Sequence, residues 1–122
     1  MNITKIERNG IAVAQIGSDE TLILDVQSAL DLMASVRYET DADCMILPKA
    51  ALSERFFVLS SGLAGDILQK FVNYQFQVAI VGDYSGYTSK PLRDFIYESN
   101  QGKHVFFVAT NEEALEKLTR GK

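Results

Sequence analysis

The chain opens with short-period alternation and then lengthens its rhythm. Asn2 to Glu7 alternates in strand fashion, and Ile11 to Ile16 resumes the extended pattern after Asn9-Gly10. Asn-Gly between two such runs predicts a β-hairpin, because both residues tolerate positive φ. Val26, Ala29, Leu30, Met33 and Val36 then recur at helical spacing. They predict a first helix that ends near Tyr38, with Ser18-Asp19-Glu20-Thr21 supplying the cap and first-turn acids. Cys44 to Leu47 reads as a third strand stopped by Pro48.

A second helical stripe follows Ser60-Ser61-Gly62. Leu63, Ala64, Ile67, Leu68, Phe71 and Val72 form its apolar side, and Asp66, Gln69, Lys70 and Asn73 its polar side. This helix ends near Asn73-Tyr74, and Phe76 to Gly82 makes a fourth strand whose unbroken apolar run suits cover on both faces. After a polar loop, Ser89 caps a third helix with Pro91 in its first turn and Leu92, Phe95 and Ile96 inward. Gly102 is placed for a left-handed C-cap. His104 to Ala109 reads as a fifth strand, and Thr110 opens a last helix with Ala114, Leu115 and Leu118 on its apolar side.

The order is therefore β-β-α-β-α-β-α-β-α. It predicts one α/β domain over residues 1–122: an N-terminal hairpin, then a mixed, mostly parallel five-stranded sheet with four helices. At 122 residues such a domain can bury a real core. With 12 basic and 16 acidic residues the formal net charge is −4. No basic patch interleaved with aromatics is visible, so nucleic acid is not an expected partner. The N-terminus lacks a hydrophobic signal core and no run approaches membrane-spanning length, which points to a cytoplasmic protein with no membrane partner.

Few residues carry chemistry. Cys44, the single cysteine, lies in an apolar run and reads as a small buried hydrophobe. No cluster with metal-ligand spacing, phosphate-binding glycine loop or nucleophile elbow is present, so no catalytic residue, metal or cofactor is assigned. His104, the only histidine, opens a strand and reads as structural. Two places remain. Ser60, Ser61 and Gly62 stand at a helix N-terminus, where a hydroxyl can cap a free N–H and where the helix dipole suits an anion or a phosphorylated serine. Asp83, Tyr84, Ser85, Tyr87, Ser89 and Lys90, with Arg93 one step later, leave the C-terminal end of a buried strand, where open α/β sheets bind ligands. There Lys90 and Arg93 would converge on a small anionic ligand, unless Lys90 pairs with Asp94 instead.

The element order and the Ser60-Ser61-Gly62-Leu63 step resemble the STAS domain (sulfate transporter and anti-sigma factor antagonist). The end of the chain, Val105-Phe106-Phe107-Val108 with Glu112-Glu113-Ala114-Leu115, is similar to that family as well. The resemblance implies a STAS-like fold and a non-enzymatic regulatory module that binds a protein partner, with Ser61 as phosphoacceptor. Leu59 stands where that family carries an aspartate, and the connection from Leu47 to Ser60 is longer. The stretches Gly62–Tyr74, Ala79–Asp83 and Leu92–Asn100 resemble more closely a bacterial group, domain-of-unknown-function family 4180, which brings no activity with it. Adjacent phenylalanines, and Phe56-Phe57 above all, further suggest an exposed aromatic patch and a homodimer.

Overall fold

In a computed structural model, which describes residues 1–120, the strands are β1 (Asn2–Arg8), β2 (Ile11–Gly17), β3 (Cys44–Pro48), β4 (Gln77–Val81) and β5 (Val105–Val108). They lie in that order across one sheet. β1 and β2 are antiparallel, joined through Asn9 at φ 55° and Gly10 at φ 78°, the backbone a two-residue hairpin turn requires. Every later pairing is parallel.

The helices are α1 (Val26–Thr40), α2 (Leu63–Asn73), α3 (Lys90–Gln101) and α4 (Asn111–Thr119). Three of them, α1 to α3, are crossovers between neighbouring parallel strands. Right-handed crossovers that always step in the same direction put their helices on one side of the sheet. There Met45, Leu47, Val78, Ile80, Val105 and Phe107 meet the helical stripes in one core. The alternate residues Val13, Cys44, Ile46, Ala79, Phe106 and Val108 face the other way and are covered by Ala114 and Leu118 of α4. Phe106 and Phe107 are thus both buried, one under each layer.

Several details depart from the sequence pattern. The first helix starts later than Ser18–Thr21 suggests. Its N-cap is Asp25, whose carboxylate accepts from Ser28 N–H while Ser28 Oγ accepts from Asp25 N–H. Leu22 and Ile23 are instead drawn into pairing with the segment after β3, their N–H groups donating to Ala51 O and Ile23 O accepting from Ser53. Gly102 closes α3 with φ −89°, so it is not a left-handed cap. Phe56 and Phe57 are 3% and 5% exposed, so they form no exposed aromatic patch and give no basis for a homodimer. Among the described residues no helix is long and apolar enough to cross a membrane.

β5 is a sheet edge, and Asn100 covers part of it. The Asn100 side-chain amide donates to Phe107 O at 3.2 Å and accepts from Phe107 N–H at 2.7 Å, acting as one peptide of a missing strand. Asn100→Leu removes both bonds while keeping the same side-chain branching. It should cost about 1–3 kcal/mol in urea unfolding, because two backbone groups lose their partners, and it should raise light scattering near the transition. Unchanged stability would show that the contact contributes nothing.

Candidate functional site

β3 and β4 are parallel and in register through Pro48 and Val81, so the residues that follow them emerge side by side on one rim. From β3 comes Lys49, from β4 come Gly82 and Asp83. Lys49 lies across Gly82 so closely that a Cβ at residue 82 would sit 2.6 Å from Lys49 Cβ. The Lys49 ammonium then stands 4.8 Å from the Tyr87 ring centroid, 5.2 Å from Phe57 and 6.0 Å from Tyr84. It is 4.0 Å from Glu54, which also accepts a 3.4 Å hydrogen bond from Tyr87 Oη. Phe57 stacks on Tyr87 at 5.0 Å and 16°, and Tyr84 meets Phe107 edge-on at 5.4 Å. Sequence patterning missed Lys49, Glu54 and Gly82. The available signal was register: a long residue after one strand faces a glycine after its neighbour.

The connection between β3 and α2 is three short 3₁₀ turns, Lys49–Ala51, Glu54–Phe57 and Leu59–Ser61. It carries the predicted serines, but neither is the N-cap of α2. Gly62 holds that position at φ 78°, a left-handed conformation that favours glycine. Ser61 sits one residue earlier. Its hydroxyl accepts from Leu63 N–H at 3.2 Å and donates to Arg55 O at 2.8 Å. It therefore still satisfies a free N–H at the helix start, and it also fastens one 3₁₀ turn to the next. Ser60 and Ser61 are exposed, Val58 is 52% exposed beside them, and Leu59 packs toward the core.

The loop after β4 is held just as locally. Ser85 hydrogen bonds, the backbone N–H first, keep the Asp83 carboxyl below its ordinary range, with help from Lys49. Tyr84 Oη donates to Ile80 O at 2.7 Å, and burial pushes its phenol upward. Ser89 caps α3 by accepting from Leu92 N–H. Lys90 pairs with Asp94 at 2.7 Å, while Arg93 is exposed. The shallow concavity of about 640 Å³ beside Asp83 has Glu113 as a second carboxylate, a poor setting for an anion. The two predicted loops do share one rim. What joins them is the Glu54–Phe57 turn, fastened to Ser61 at Arg55 and wedged against Tyr84 and Tyr87 through Phe57.

His104 precedes β5 whereas the serines follow β3, so the parallel sheet holds them at opposite ends and no Ser-His-acid triad forms. Its Nδ1 lies 3.3 Å from Phe76 O. Cys44 is buried on the α4 face, and burial followed by the nearby Asp43 charge pushes its thiol up to about 11. Among the described residues no group of acidic, histidine or cysteine side chains is placed to hold a metal ion.

Residues 8–118 match the model of domain-of-unknown-function family 4180, and the chain belongs to that family. No curated protein and no solved structure matches it.

Two measurements follow from this geometry. Gly82→Ala drives a methyl into the Lys49 stem and should cost about 1–3 kcal/mol as an overpacked site, read from urea unfolding. A neutral result would mean that the two strand ends are free to part. Native protein at pH 8 should label only slowly with a thiol reagent, and completely once urea is added, because the thiolate is scarce and shielded. Labelling as fast as a free cysteine would contradict the buried placement.

Proposed function

We propose that this chain is a STAS-like, non-enzymatic regulatory module of a bacterial cytoplasm, which presents the Val58–Gly62 rim to a protein partner and is controlled at Ser61. The single observation that carries the reading is the pair of bonds made by the Ser61 hydroxyl. A phosphoryl group there removes the hydroxyl donor to Arg55 O, which keeps only the Val58 N–H, and sets roughly −1.5 to −2 charges beside that carbonyl. The attraction of the α2 dipole is worth only about 0.3–1 kcal/mol at an exposed site, so it does not offset that loss. The Leu59–Ser61 turn then separates from the Glu54–Phe57 turn, and Val58 between them changes its presentation. Exposed Val58 supplies an apolar contact next to the switch, as an interface centre needs.

An anionic metabolite bound by Lys90 and Arg93 has less support. Lys90 is already paired and carboxylates flank the loop.

The test is affinity capture from lysate of the source cells with wild type, Val58→Asp, Ser61→Ala and Ser61→Asp, quantified by mass spectrometry. A protein recovered by wild type should fall about tenfold with Val58→Asp and with Ser61→Asp, equivalent to 1.4 kcal/mol of binding. It should fall less with Ser61→Ala, which loses both hydroxyl bonds but adds no charge. Melting curves of all four check that each is folded. Equal recovery throughout removes both the surface and the switch.

A further inference from the structure

The opposite end of the sheet carries a different feature. Where α3 gives way to β5 and α4 ends, a polar concavity of about 470 Å³ opens between them. Lys103, Lys117 and Arg120 line it, with Gln77 and Gln101 offering amides and the Phe106 ring an apolar wall. Its parts are fixed from beneath. Gln77, the first residue of β4, donates its side-chain N–H to Lys103 O at 2.7 Å and so holds the backbone that bears Lys103. The Lys117 ammonium is 5.8 Å from the Phe106 centroid, and that ring is anchored in the core under α4.

The chain as a whole is −4, yet three cations gather around this one concavity. Arg120 pairs with Glu116 at 3.4 Å. Among the described residues, the ion pairs found leave Lys103 and Lys117 without a carboxylate. The C-terminal ends of α3 and α4 each contribute about half a negative charge, which one cation balances. Glu116 balances another, and a positive excess remains. Two compact ammonium groups and one planar guanidinium suit the oxygens of a phosphate, which Lys binds as a point charge and Arg through its fork. The volume exceeds that of the anion alone and leaves room for a small organic body against Phe106.

We infer that this concavity is a binding site for a small phosphorylated metabolite, with Lys103, Lys117 and Arg120 on the phosphate. It lies across the sheet from the Ser61 rim and stands independently of the function proposed for that rim.

The probe is inorganic pyrophosphate, titrated into the full chain at constant ionic strength. Tm should rise by roughly 3 °C or more at millimolar probe, as ligand linkage requires. ¹⁵N chemical shifts should move at Gln77, Lys103 and Phe106. Lys103→Gln combined with Lys117→Met should abolish both responses, while Lys90→Ala combined with Arg93→Ala should keep them. No response in wild type overturns the site, as does an equal response in the Lys103 and Lys117 double variant. Loss in the Lys90 and Arg93 variant moves the anion to the other rim and overturns it too. Retention on single-stranded DNA without any pyrophosphate response would mark a polyanion surface and also overturn the metabolite site.

Discussion

One topological constraint organises this molecule: each parallel crossover steps one strand further in the same direction with the same hand. Three helices are thereby committed to a single face, and the opposite face is left to an element that makes no crossover. α4 is that element, and it reaches Val13, Cys44, Ile46, Ala79, Phe106 and Val108. The two-layer burial explains why the central strands are apolar at successive positions instead of alternating. It also fixes both ends of the sheet. The rim after the strands collects the loops that carry Lys49, Ser61 and Asp83, and the rim before them collects Gln77, Lys103 and His104.

The connection from Pro48 to Leu63 has no long-range backbone ladder beyond the bridge of Leu52 with Ile23. Its order comes from side chains. Phe56 and Phe57 enter the core, Ser53 caps the Glu54–Phe57 turn, and Ser61 ties that turn to the next. Three-residue 3₁₀ turns are weak in isolation. Removing one anchor thus affects the neighbouring turns, which is the property a local switch exploits.

Elements were legible where the local and tertiary signals agree. The Asn9-Gly10 hairpin, the Ser89 cap with Pro91, and the Thr110 cap accepting from Glu113 N–H all lie where the residues predict them. Local signals failed where tertiary pairing outweighs them. Ser18–Thr21 looks like a helix start, but Leu22 and Ile23 gain partners at Ala51 and Ser53 that a helix would deny them. The exposure expected for Phe56-Phe57 failed for the same reason, since a loop with no periodicity gives no sign that it folds back on the sheet. Of the candidate site, the serines and the loop after β4 could be found from composition. Lys49 and Gly82 could not, because their significance lies in strand register. The groove around Lys103 and Lys117 escaped because its cations are 14 apart in the numbering and meet only through the packing of α4 on Phe106.

The division of labour between the helices also bears on how the chain is made. Synthesis proceeds from the N-terminus, and α1 to α3 emerge before the strand each one leads into. The first face can therefore be covered progressively as the sheet grows. The second face has no such arrangement: every strand must be present, and residues 111–119 must then clear the ribosome, before Ile46 and Phe106 are shielded from water. Until that moment the nascent sheet displays a continuous apolar surface, the kind of surface that holding chaperones grip. A nine-residue helix thus shields the smaller layer of the core: among the described residues, 8 are buried there against 24 in the other layer.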